Sequence, residues 1–396
     1  MKKRLLYALV LSAVMPLSAQ EKKENKEGYV FTTVKENPIT SVKDQNRSGT
    51  CWSFSGIGFL EAEMLRMGKP ETDLSEMFVV SHSYTDKAEK YVRMHGTCNF
   101  AGGGSFHDVL YVLKNYGAVP EEVYTGLQYG EKKHVHTELD ALLKNYITQI
   151  AATKGKLSPV WKKGFDGILS AYLGEIPEKF VYKGKEYTPK SYAESLGLHA
   201  DDYVSITSYT HHPFYTQFAL EIPDNWRWGM SYNVPLDEME QIADYAINNG
   251  YTIAWGADVS EKGFSRKGIG VLPDVNGEEL TGSDAAHWLG LTAKEKDEEI
   301  QKMMNNPCRE LNITQESRQN GFDNFETTDD HGMVIYGIAK DQTGKKYYMI
   351  KNSWGETGKY KGFWYISEPF FRAKTMNFVV HKNAIPKNIA KKLGIK

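Results

Sequence analysis

Cysteine is scarce: Cys51, Cys98 and Cys308 are the only three in 396 residues. That is too few for the dense bridging that staples small secreted folds. After the first nineteen residues no stretch approaches the roughly 18 consecutive apolar residues of a membrane span, so no membrane-crossing segment is expected beyond that start. An excess of one charge is also lacking, with 48 Lys and Arg against 50 Asp and Glu and a formal charge of -2. With no patch of interleaved basic and aromatic residues, a nucleic-acid partner is excluded. The glycines Gly102, Gly103 and Gly104 are not followed by Gly-Lys-Ser/Thr, so they do not form a phosphate loop. No internal repeat appears. His134, His136, His211 and His212 lack a cysteine or carboxylate pattern of recognised metal-ligand spacing, so neither a metal nor another cofactor is expected.

The chain has enough apolar residues (41%) and aromatics (12%) for a large core, and its length allows one large domain or two ordinary ones. Residues 1–19, MKKRLLYALVLSAVMPLSA, combine a basic start, an apolar run and small residues at Ser18 and Ala19. They read as a secretory signal peptide, with an exported periplasmic or extracellular product. Its removal takes Lys2, Lys3 and Arg4 away and moves the formal charge from -2 to -5. Residues 20–43 then form the mature N-terminal segment, charged at its start. Export permits a disulfide between Cys98 and Cys308, but two buried free thiols is the simpler expectation.

Cys51 opens a segment with apolar residues at Trp52, Phe54, Ile57, Leu60, Met64 and Leu65. The spacing predicts a helix that stops at Gly68. A thiol in the first turn of a helix faces unpaired N–H groups and the positive end of the helix dipole, which predicts a lowered pKa. Residues 74–96 predict a second helix, and a glycine-rich loop leads into a third that ends at Gly117. Residues 131–200, rich in Lys and Glu with few strand signals, read as a helical insertion. Beyond residue 201 the runs DYVSITSY, FALEIP, TIAWGADV, GMVIYGIA, YYMIKNSWGE and GFWYISEPFF carry strand signals, with a helix over residues 237–249 between them. Residues 382–396 are a short basic tail. Helices early and strands late predict an α+β protein with a helical and a sheet-rich lobe.

A thiolate nucleophile needs a base, a group that orients the base, and donors for the oxyanion it creates. His331 offers the base. Asn352, in KNSWGE, offers a carbonyl to orient it, and Trp354 could cover that bond. Gln45, six residues before Cys51, offers an amide N–H to the oxyanion alongside the Cys51 backbone N–H.

These segments resemble the papain superfamily of cysteine peptidases, more closely its bleomycin hydrolase and bacterial aminopeptidase C branch. The resemblance rests on Gln45 with SGTCWSFS, on LSE at residues 74–76, on DDHGMVIYGI and on KNSWGETGKYKGFW. Gly103 and Gly104 match the paired glycines whose backbone binds extended peptide in that family. The 280 residues from Cys51 to His331 and the run YNVPLDEMEQIADYAINNGYTIAWGADVS match the bleomycin hydrolase branch rather than compact papain. The resemblance implies a two-lobed fold over residues 44–381, a peptide or protein substrate, catalytic Cys51, His331, Asn352 and Gln45, and supporting Trp52 and Trp354. A homo-oligomer is among the assemblies it allows. Two features depart from the pattern. Ser48 stands where secreted relatives often carry a cysteine, and the chain ends at GIK without the arm that fills the cleft of bleomycin hydrolases and makes them aminopeptidases. Aminopeptidase action leads, with an endopeptidase or a non-catalytic peptide-binding protein as alternatives.

Overall fold

The computed structural model describes residues 28–275 and 291–396. The signal-peptide reading of residues 1–19 and the start of the mature segment lie outside the described residues.

The first lobe is built on α1 (Cys51–Arg66), whose residues from Trp52 to Met64 are all buried. A helix buried all round needs close neighbours, and Gly56 admits one. A Cβ there would stand 2.6 Å from a Val109 methyl of α3 (Phe106–Asn115). α2 (Glu76–Arg93) starts where the Ser75 hydroxyl accepts from the Phe78 N–H, a side-chain N-cap. Asp108 performs the reciprocal service at α3, accepting from the Ser105 N–H at 2.9 Å. The three helices end close to the expected glycine stops.

Residues 131–200 hold α4 (Thr137–Ala151), α5 (Trp161–Leu173) and α6 (Pro189–Leu196), and Leu139, Leu143, Ile147, Phe165, Leu169 and Leu173 add to the same core. The helical reading missed a hairpin, β2 (Phe180–Tyr182) with β3 (Lys185–Tyr187). Its turn residues Lys183 and Gly184 both have positive φ, 48° and 77°, the backbone that a two-residue hairpin turn requires. Lysine at the first turn position hid that signal.

The second lobe is an eleven-stranded sheet. Its strands are β1 (Thr32–Glu36), β4 (Tyr203–Thr207), β5 (Gln217–Ala219), β6 (Met230–Asn233), β7 (Ile253–Ala257), β8 (Phe264–Ser265), β9 (Ile269–Gly270), β10 (His331–Lys340), β11 (Lys346–Lys351), β12 (Phe363–Ser367) and β13 (Thr375–His381). They run in the order β5-β6-β4-β13-β7-β10-β11-β12-β9-β8. Along one edge β10 pairs first with β7, where His331 faces Ala257, and then with β1; β11 follows its other edge. α7 (Leu236–Asn248) covers the sheet with Met239, Ile242, Ala243, Ala246 and Ile247.

Three parts of this lobe differ from the sequence reading. The EPFF run is the start of a helix, Glu368–Lys374, because the Ser367 hydroxyl caps it and Pro369 sits in its first turn. Residues 375–381, passed over as strand, form β13, which is buried along its whole length. The basic tail is not loose. It forms a helix, Lys387–Leu393, that inserts Ile389 and Leu393 into the sheet-lobe core. No helix among the described residues is long and apolar enough to cross a membrane.

Candidate active site

Cys51 stands at the first residue of α1 and His331 at the first residue of β10, so each lobe presents one of the two groups from the end of an element. They line one small cleft together with Trp52, Gly104, Phe106, Asp224, Asp329 and Gly332. The His331 Nε2 lies 2.7 Å from the Asn352 Oδ1. Because Oδ1 also accepts from the Ser353 N–H at 2.8 Å, the amide is oriented with its carbonyl toward the ring, and Nε2 donates. That tautomer leaves Nδ1 as the ring's acceptor. Trp354 covers the imidazole, with ring centroids 4.7 Å apart.

Gln45 belongs to the same corner. Its N–H donates to the Ser353 carbonyl at 2.8 Å, and its Oε1 accepts from the Ser353 hydroxyl at 2.6 Å. With Oε1 engaged, the amide Nε2 remains as a donor. Trp52 is buried against the glycine loop, donating from Nε1 to the Gly102 carbonyl at 3.0 Å, and a Cβ at Gly104 would meet its indole at 2.8 Å. The structure thus brings together Cys51, His331, Asn352, Gln45, Trp52, Trp354 and Gly104.

The expected low thiol pKa is corrected. Burial pushes the Cys51 thiol up to about 12, with the Asp329 and Asp224 carboxylates adding to the rise. Backbone groups of Gly332 and Trp52 directed at the sulfur oppose it but do not win. Burial also moves His331 down to about 4, against the Asn352 hydrogen bond. The closed cleft therefore favours neutral thiol and neutral imidazole. The helix terminus is present, as expected, but the burial around it disfavours both charged forms.

At Gly103, expected with Gly104 to bind extended peptide through its backbone, the Asp224 carboxylate packs so closely that a Cβ would overlap it. Neither Asp224 nor the segment around it was singled out from the sequence, and the run IPDNWRWG carries a turn signal but no sign of where it lands. The remaining free space in the cleft is about 30 Å³. A far larger cavity, about 1070 Å³, lies elsewhere, between α2, α3, α5 and residues 226–229. Size does not locate the chemistry.

The other expectations resolve simply. Cys51, Cys98 and Cys308 are all free and half-buried, Cys98 near Lys87 and Lys90 and Cys308 near Glu310 and Lys345. His134 and His136 are buried, and burial lowers both to about 4. His211 and His212 each bond one oxygen of Glu221, at 3.0 and 2.9 Å, a carboxylate that the sequence spacing did not connect with them.

Comparison with known proteins agrees with this geometry. A papain family cysteine protease model matches residues 30–162, and a peptidase C1-like family model matches residues 296–395. Both matches are to papain-type cysteine peptidase families, and the likeness extends to the aminopeptidase C branch through the relatives that follow. Aminopeptidase G of Lactobacillus delbrueckii subsp. lactis is 24% identical over 96% of this chain and 89% of the relative. Aminopeptidase C of Lactobacillus helveticus is 21% identical over 91% and 85%, and the mitochondrial cysteine proteinase 1 of Saccharomyces cerevisiae (strain YJM789) 21% over 93% and 80%. The crystal structure of pepW from Lactobacillus rhamnosis HN001 superposes with a TM-score of 0.69 at 20% identity, covering 92% of this chain and 84% of that one. The fold is papain-like α+β.

Proposed function

We propose that this protein is an exported thiol peptidase that removes residues from the amino ends of peptides, using Cys51, His331 and Asn352. The observation that carries the reading is the His331–Asn352 hydrogen bond of 2.7 Å under Trp354, in a cleft shared with the thiol at the start of α1. The names of the aminopeptidase relatives support the exopeptidase half of it, and the basic and apolar start of the chain supports export.

Cys51 attacks the scissile carbonyl as its proton passes to the His331 Nδ1, converting the neutral pair to thiolate and imidazolium along the way. The carbonyl oxygen becomes an oxyanion that receives the Gln45 amide N–H and the Cys51 backbone N–H. The imidazolium then protonates the leaving amine, and the peptide C–N bond breaks to leave a thioester on Cys51. Water, deprotonated by His331, hydrolyses the thioester and returns the thiol. Throughout, Asn352 holds the ring in the tautomer that can do both jobs.

Cys51→Ala is expected to abolish both peptide turnover and labelling by an epoxide or fluoromethyl ketone directed at thiols. Labelling that survives the substitution, with Cys98 or Cys308 carrying the adduct, would overturn the assignment.

A further inference from the structure

The loop over residues 220–229 crosses from the sheet lobe to the helical lobe and is fastened at both ends. Asn225 bonds the Leu220 and Gly229 carbonyls, both at 3.0 Å, and accepts from the Gly229 N–H at 2.8 Å, closing the loop on itself. Trp226 and Arg227 then bind Asp108, at 3.0 and 2.7 Å, the same carboxylate that caps α3. Arg227 also reaches Asp86 on α2 at 2.8 Å. Such charge-assisted bonds to part-buried carboxylates give the loop a defined seat. Its course carries Ile222 and Asp224 into the cleft beside Cys51.

Asp224 is held there rather than drifting over the surface. Its Oδ1 accepts from the Asn99 Nδ2 at 3.1 Å, while Oδ2 receives no hydrogen bond among the described residues and lies against Gly103. The nearest cation, Lys87, is spent on the Ala101 and Gly103 carbonyls. Asp329 lines the same cleft, and burial together with the nearby Asp224, Asp330 and Asp258 carboxylates raises its pKa well above the usual carboxylate range, which favours its neutral form. A part-buried carboxylate with one oxygen open calls for a cationic partner. The Asp224 carboxylate occupies the space over Gly103 and narrows the cleft beside Cys51.

We propose that Asp224 receives the free α-ammonium of the substrate and, by filling the space over Gly103, limits the substrate to one residue on the amino side of the cleaved bond. The inference rests on Cys51 being the nucleophile. It assigns the amino-end selection to an internal loop, whereas the C-terminal helix, with Ile389 and Leu393 in the sheet-lobe core, contributes nothing to the cleft lining.

The test uses the mature full-length protein, aminoacyl-aminomethylcoumarin substrates with free and N-acetylated amines, and a dipeptidyl substrate. The wild type is expected to cleave only the free aminoacyl form. Asp224→Asn keeps the shape and removes the charge, and should raise KM for that form about 10- to 100-fold, a loss typical of a hydrogen bond to a charged group. Asp224→Glu should recover part of the affinity, and Asp224→Ala should open the dipeptidyl substrate to cleavage. An unchanged KM in Asp224→Asn, or cleavage of the acetylated substrate by the wild type, overturns the inference. Epoxide labelling of Cys51 in each protein separates the two levels. Wild-type protein that resists labelling overturns the thiol-peptidase reading itself, whereas full labelling with unchanged KM in Asp224→Asn leaves that reading intact and removes only Asp224. Should the Asn variant fail to fold, Asp224→Glu against wild type on the same substrate pair decides, since a longer carboxylate without a shift in KM also overturns the role.

Discussion

The two lobes hold their halves of the cleft by different physics. In the helical lobe Cys51 is placed by packing: thirteen of the sixteen residues of α1 are buried, and the thiol rides on a helix that core contacts fix on every side. In the sheet lobe His331 is placed by directed bonds: the β10 ladder to β7, the Asn352 carbonyl and the Trp354 ring. Packing tolerates small shifts, whereas an imidazole that must present one nitrogen needs a named partner. Between the lobes runs a buried polar chain. Glu61 of α1 accepts from the Thr40 hydroxyl at 2.6 Å and the Leu74 N–H at 3.0 Å and pairs with Lys43 at 3.1 Å, and Thr40 accepts from Lys351 of β11 at 2.8 Å. Lys351 adjoins Asn352, so the chain links the packed half of the site to the bonded half.

Breaking that link should have the largest effect on stability. Glu61 is 1% exposed, and Glu61→Ala strips the Thr40 hydroxyl and the Leu74 N–H of their acceptor, while Lys43 keeps Glu76 at 2.6 Å and Asp73 at 2.5 Å. A loss of about 2–4 kcal/mol is expected from the buried donors left unsatisfied, read as a lower midpoint in urea unfolding; a change under about 1 kcal/mol would mean that the lobes are joined by apolar packing alone.

Asn352→Ala sharpens the other side of the comparison. It removes the orienting acceptor without touching α1, so kcat should fall about 100-fold, within the range for general acid–base groups, while Cys51 stays accessible to an alkylating reagent. Equal losses in kcat and in alkylation would show that Asn352 supports the fold rather than the imidazole.

The smallest effect expected lies in the helical lobe away from the cleft. His136 is fully buried, neither ring nitrogen finds a partner among the described residues, and burial with the neighbouring His134 lowers it to about 4 from an ordinary 6.5. Between those values the unfolded chain takes a proton that the folded one refuses, so this residue's contribution favours folding at neutral pH and is lost as the pH falls through that window. His136→Phe should therefore shrink the loss of stability from pH 7 to pH 4.5 by about 1–2 kcal/mol, measured by urea unfolding at the two pH values. An acid sensitivity identical to wild type would place the titration elsewhere.

Much of the site was legible before folding, because the chemistry demands particular residues in local settings. Cys51 before an apolar helical period, His331 at the head of a β-branched run, and Asn352 followed by Ser353 and Trp354 each carry their context within ten residues. The C-terminal helix was read as a plain tail because seven residues are too few to reveal which face is buried. β13 was overlooked because strands buried on both faces lose the alternation that marks a half-exposed strand.

The sequence by itself marked the kind of protein this is, the thiol, imidazole and amide proposed to carry its chemistry, and the elements that hold them. Local patterns sufficed because each group sits at the end of a helix or strand whose period is written in the neighbouring residues. Tertiary structure alone decided the state of the thiol and the occupant of the Gly103 face. The second depends on residues 220–229 folding back across more than a hundred residues of chain, and the first on burial from both lobes, with Asp329 and Asp224 adding to it. Burial is a property of what lies opposite in space, and Asp224 meets Gly103 with no periodicity or spacing to announce it. The helix start that favours a thiolate is local; the burial that opposes it is not.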